Sequence, residues 1–208
     1  PSSGKGIEVV SHNGSQWGTP ETISLSSTGN NYRSDLTMNK SGVAAAVWLS
    51  RKDASSGNLP PSVMFGYKNI EGSWATALSL IDGTTAIEDP SVSINTHGDI
   101  LVTWQQISGN GAFAIKGRYR DADTEIWGDV ETYSDINQTL HGGFAESALD
   151  INGNAIITWR QANAVAGEKL AAKGNIMARY RQKVGGTLGS ITQLSANGHD
   201  AFNRSVEL

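Results

Sequence analysis

Glu88 and Asp89 stand side by side, Glu146 lies further along, and Tyr32, Arg33, His199 and Arg204 complete the set of side chains best suited to chemistry. Paired carboxylates are the equipment of glycoside hydrolysis, one protonating the leaving oxygen while the other attacks or activates water. Neighbours on an extended strand point to opposite faces, so Glu88 and Asp89 are expected to be poorly placed for joint work. Glu146 facing Asp89 from another segment is the better arrangement for a hydrolase. A mixed ring of carboxylates, guanidinia and one aromatic also suits the binding of a polar ligand, such as a glycan, without turnover.

Other chemistries leave no trace. The chain has no cysteine, which removes disulfides, thiolate metal sites and cysteine nucleophiles together. His12, His97, His141 and His199 are scattered, with no spacing for a metal site or a base–nucleophile pair. No G-x-S-x-G sequence occurs. Asp150, Asn152 and Asn154 look like an oxygen-rich calcium loop, yet the aligned Asn39, Ser41, Val43 and Asn95, His97, Asp99 carry no consistent acidic set. They read as turns. No metal, no cofactor and no catalytic residue is assigned.

Charge and hydropathy narrow the partners. Sixteen basic against 20 acidic residues give a net charge of -4 with no basic block, which argues against nucleic acid. The longest apolar run, Val43 to Leu49, is far short of the roughly 20 residues of a spanning helix. The sequence opens on Pro1, which points to a processed form or a fragment.

What positions the candidate residues is a repeat. Trp48, Trp104 and Trp159 recur at intervals of 56 and 55 residues, and Trp17, Trp74 and Trp127 at 57 and 53. Residues 36–48, 92–104 and 147–159 align without a gap, each with Asn39, Asn95 or Asp150 three residues before Gly42, Gly98 or Gly153. Asn or Asp starts a reversal and Gly supplies its positive φ, so each segment is a hairpin. Beyond the glycine, Ala44, Ala46 and Trp48 share a face, as do Ile100, Val102 and Trp104, and Ala155, Ile157 and Trp159. The opposite face is also largely apolar, as in a strand sandwiched between sheets. The tryptophans are therefore expected to be core rather than sugar-stacking platforms.

A second half repeats as well: 63–68, 115–120 and 176–181 set an aliphatic residue four before Tyr, with Lys or Arg after it. The basic ending is expected to mark an outer or edge strand that repels other edges. Four strands, A to D, make one unit. The fold class is thus all-β, a β-propeller of four-stranded blades of about 55 residues. Whole blades are expected at 33–81, 88–134 and 145–195, with partial blades at 6–24 and 202–208 and no long helix within 161–174. Leftover strands imply self-association or a longer chain, and a structural repeat segment of a large surface protein is a further alternative to binding and hydrolysis. The D–A connections would then bring Tyr32, Arg33, Glu88, Asp89, Glu146, His199 and Arg204 to the mouth of the central channel.

The hairpin text resembles the repeat of bacterial secreted and surface propellers of the sialidase-like (neuraminidase-like) superfold. That resemblance implies an extracellular or cell-surface protein that binds a glycan or a protein surface, as in adhesion. Asp150 precedes Gly153 by three and Trp159 follows six later, which departs from the sialidase Asp-box, and the Phe-Arg-Ile-Pro segment is absent. Sialidase catalysis therefore transfers to no residue, and the reading leans away from an enzyme. Propeller lectins are similar in architecture, and some of them assemble rings from short chains.

Overall fold

The computed structural model describes residues 6–24, 29–52, 60–70, 72–83, 85–108, 111–135, 140–163 and 174–196. Among them the chain is all-β apart from one 3-10 turn, Val184–Gly186. Strands β1 (Glu8–Val9) and β2 (Glu21–Thr22) form a leading two-stranded pair. Blade one follows with β3 (Gly29–Met38), β4 (Ala44–Lys52), β5 (Ser62–Lys68) and β6 (Leu78–Ile81). Blade two holds β7 (Ile87–Ile94), β8 (Ile100–Ile107), β9 (Phe113–Arg120) and β10 (Glu131–Thr132). Blade three holds β11 (Leu140–Leu149), β12 (Ala155–Asn163), β13 (Gly174–Arg181) and β14 (Thr192–Gln193). Each blade is an antiparallel meander, its strands paired in chain order. The innermost strands β3, β7 and β11 lie next to one another. The described sheets make an arc, not a closed ring. Residues 164–173 and 197–208, including the expected partial blade at 202–208, lie outside the described residues.

The hairpin glycines have φ of 86° at Gly42, 104° at Gly98 and 80° at Gly153, a conformation that costs other residues about 1–2 kcal/mol. The Asn or Asp at each turn does more than start it. Asn39 Oδ1 accepts from the amides of Ser41 and Val43. Asn95 Oδ1 accepts from His97, Gly98 and Asp99, and Asp150 Oδ1 from Asn152 and Asn154. The amide side chains then reach across blades: Asn39 Nδ2 donates to Asn95 O at 3.0 Å, and Asn95 Nδ2 to Asp150 O at 2.8 Å.

Hydrophobic burial lies between blades, not within them. Val47, Leu49, Val63 and Phe65 of blade one pack on Val92, Val102 and Trp104 of blade two. Leu101, Ile115 and Tyr133 of blade two pack on Leu149, Ile157 and Trp159 of blade three. Ile23 of the leading pair meets Ala46, Trp48 and Met64. Trp48, Trp104 and Trp159 are fully buried, and each indole N–H has an acceptor. Trp104 and Trp159 donate to Gln106 and Gln161, two residues on. Blade one has Ser50 at that position, and Asn31 from the adjoining strand takes over.

Two expectations need correction. The basic residues ending the third strands do not guard edges: Arg120 lies over Tyr67 and Arg181 over Tyr119, with ring distances of 5.0 and 4.1 Å, in each case on the preceding blade. Arg181 also grips Glu131 with Nε and Nη2. Successive blades stack so closely that a cation over an aromatic face is better placed there than in water. The second tryptophan series is not uniformly core either. Trp74 and Trp127 are half-buried against the preceding sheet, with Trp127 edge-on to Phe65 at 4.9 Å. Trp17 has no preceding sheet among the described residues and is 67% exposed.

Candidate functional site

Each innermost strand breaks register once, between Tyr32 and Asp35, between Glu88 and Ser91, and between Gly143 and Glu146. At each break two residues oppose one on the partner strand, the arrangement of a β-bulge. The first bulged residue is left-handed every time: Arg33 at φ 51°, Asp89 at 47° and Phe144 at 55°. Such values cost a non-glycine residue energy and tend to gather at functional sites. The ladder partners also fix what sits opposite. Tyr32 pairs with Leu49 and Asp35 with Val47, which leaves Arg33 and Ser34 facing Trp48. Asp89 and Pro90 face Trp104, and Phe144 and Ala145 face Trp159 in the same way. Pro90 fits because a bulge does not need its missing N–H.

The bulges, set within the innermost strands, bring candidate residues of neighbouring blades together. Arg33 Nη1 donates to Asp89 Oδ1 at 2.7 Å and lies 3.4 Å from Glu88 Oε2. Adjacent Glu88 and Asp89 thus face the same guanidinium. This corrects the expectation that they point apart: alternation fails where the backbone turns left-handed. Asp35, which the sequence reading passed over, ties the row together. Its Oδ2 accepts from Ser91 Oγ and the Val92 amide, both at 2.9 Å.

Two cavities flank this pair. One of about 280 Å³ is lined by Arg33, Asp35, Asp89, Phe144 and Glu146, among others. The other, of about 440 Å³, lies between blades one and two and is lined by Tyr32, Arg33, Arg51, Pro60, Pro61, Ile87 and Glu88, among others. Tyr32, Arg33 and Glu88 thus line one cavity and Arg33, Asp89 and Glu146 the other, all from within innermost strands and not from the D–A connections where they were expected; His199 and Arg204 lie outside the described residues. Phe144 and Arg51 were not singled out from sequence. A signal for Phe144 existed: Arg33, Asp89 and Phe144 each precede a buried Trp by the same 15 residues.

An ion-pair cluster around Lys183 lies at the turn end of the strands. Lys183 Nζ sits 2.9 Å from Asp99 and 3.2 Å from both Asp121 and Asp123. Burial pushes the Asp99 carboxyl up, but the Ala122 amide, Lys183 and Asn95 more than offset it, so it lies below its ordinary range. Lys183 is raised in turn: burial opposes its charge, and the three carboxylates prevail. His97 Nε2 donates to Asp123 Oδ1 at 2.8 Å. Asp99 and Asp121 spend acceptors on Lys183 and on backbone amides, as a structural ion-pair network does. Among the described residues no group of His, Asp and Glu has the arrangement of a metal site, and no helix is long and apolar enough to cross a membrane.

No protein-family model matches the sequence, and no curated protein is similar to it. Solved structures do align. A Dyadobacter fermentans protein of unknown function superposes with TM-score 0.60 at 13% identity, over 93% of this chain and 59% of that one. The GH93 α-L-arabinofuranosidase of Fusarium graminearum, solved with arabinobiose, gives 0.53 at 14% identity, over 91% and 58%. A Hadza microbial sialidase gives 0.49 at 12% identity, over 79% and 44%. The chain thus spans less than two thirds of the proteins it superposes on. At such identity the likeness is one of architecture, and the chain shares the β-propeller fold of the first two.

Proposed function

We propose that this chain binds a glycan, without turning it over, on the rim formed by the three strand bulges. The observation that carries the reading is the repeated left-handed residue at Arg33, Asp89 and Phe144. It puts a guanidinium, carboxylates and an exposed aromatic ring around two adjoining cavities. Sugars present hydroxyls to such polar groups and apolar ring faces to aromatics. Asp89 is held by Arg33, so it serves as a fixed acceptor for ligand hydroxyls. The same reading places the protein outside the cell or on its surface, which fractionation of the native source tests.

Calorimetry on hits from a glycan array should show Arg33→Ala weakening binding by at least about tenfold, 1.4 kcal/mol. An array without hits, or affinity unchanged in Arg33→Ala, rejects the reading. Hydrolysis is the second reading, favoured by one observation: Asp89 and Glu146 line the same cavity. Fluorogenic glycosides turned over by the parent and not by Glu146→Gln would establish it; no turnover by the parent removes it.

A further inference from the structure

The 440 Å³ cavity between blades one and two falls within the range of small-ligand pockets, about 300–1,000 Å³. Its charge is uneven. Arg33, on one side, is occupied by Asp89 at 2.7 Å. Arg51 is exposed, and among the described residues it has no ion-pair partner; its guanidinium stands 5.9 Å from the centre of the Tyr32 ring. Glu88 is the one acid against these two guanidinia in the described lining. Pro60, Pro61 and Ile87 supply apolar walls. A cationic fork above an aromatic ring, with apolar sides, matches an anion carried on a ring-shaped ligand, since guanidinium pairs with carboxylate or sulfate through two parallel hydrogen bonds.

We infer that this cavity is an anion subsite, taking the carboxylate or sulfate of a saccharide through Arg51, next to the polar cavity at Asp89, Phe144 and Glu146. The inference rests on the proposed glycan binding and adds the charge class of the ligand. Arg51 selects, while the Arg33–Asp89 pair and Phe144 hold the rest of the sugar.

The test is calorimetry with four oligosaccharides of equal length: a polyuronide, its methyl ester, a sulfated glycan and a neutral one. The polyuronide or the sulfated glycan should bind about tenfold tighter than the uncharged forms, 1.4 kcal/mol. Raising the salt to about 1 M, where the screening length falls to about 3 Å, should erase much of that preference. Arg51→Gln should abolish it, and Arg51→Lys should keep part of it. A charged probe bound by one arm only tells carboxylate from sulfate. Equal affinity for acid and ester, with the sulfated glycan bound no tighter than the neutral one, overturns the subsite, as does a preference that survives in Arg51→Gln. Neutral binding that is lost in Arg33→Ala keeps the broader reading alive even then. Acid binding lost in Arg51→Gln but intact in Arg33→Ala keeps the subsite and sinks the broader reading.

Discussion

At one end of β3, β7 and β11 the turns repeat both backbone and chemistry; within the same strands the bulges repeat backbone alone. Asn39, Asn95 and Asp150 close their turns with the same side-chain oxygen, and the first two pass an amide hydrogen to the next blade. Their polar groups are used up within the protein. Arg33, Asp89 and Phe144 share one strained conformation yet differ in charge, size and polarity. A repeat that keeps its geometry and varies its side chains suits the recognition role proposed above. One that keeps both is a fastening. Buried polar groups that are fully satisfied stiffen a structure, while strain held at a rim is available to a ligand.

Substitutions at the turns and at the bulges should therefore part company. The largest effect is expected at Gly153 in the turn end. Its φ is 80°, and an added Cβ would lie 2.5 Å from both Tyr119 Oη and Lys183 Cδ. Gly153→Ala should cost roughly 3–4 kcal/mol of unfolding free energy in urea, left-handed strain plus overpacking. A loss below about 1 kcal/mol would mean that the turn end is softer than described.

Next is Lys183→Met, which strands the fully buried Asp99 carboxylate and should cost about 3 kcal/mol at neutral pH. The sign with pH follows from the shifts. Asp99 is lowered from 3.8, so its contribution is present above about pH 4 and disappears as pH falls through the lowered value. Lys183 is raised from 10.5, so its contribution is full below that pH and is lost only above it. The gap between parent and variant should thus form a plateau from about pH 5 to 10 and shrink in acid. A gap that widens below pH 4 would refute the pairing.

Asn95→Ala removes three turn acceptor bonds and the link to Asp150. About 2 kcal/mol should be lost, read as a lower urea midpoint at unchanged slope. At the bulge, Phe144→Gly should move stability by less than about 1 kcal/mol, because relief of a positive φ offsets the lost ring. Glycan affinity should nevertheless fall. A Phe144→Gly protein that melts far below the parent would erase the distinction between turns and bulges.

Much of this was legible in the text. Trp48, Trp104 and Trp159, with the glycines six residues before them, announce hairpins because turn chemistry and strand alternation are local properties. Tyr32, Arg33, Glu88, Asp89 and Glu146 were expected on the D–A connections, whereas they stand inside the innermost strands β3, β7 and β11. The direction of Glu88 relative to Asp89 did not follow, since a bulge suspends the alternation that such reasoning assumes. Arg120 and Arg181 misled for a related reason. A basic residue ending a strand reads as solvent-facing until a neighbouring blade brings Tyr67 or Tyr119 beneath it.

Local spacing, then, was enough for the sequence to determine four-stranded units, their turns and the all-β class. Only the tertiary structure decided what passes between units: the amide relay from Asn39 to Asn95 to Asp150, the arginines over the preceding tyrosines, the Arg33–Asp89 pair and the cavities beside it. These contacts join residues about 55 positions apart, on strands that meet only once the blades have stacked. No pattern along the chain encodes the distance between two sheets.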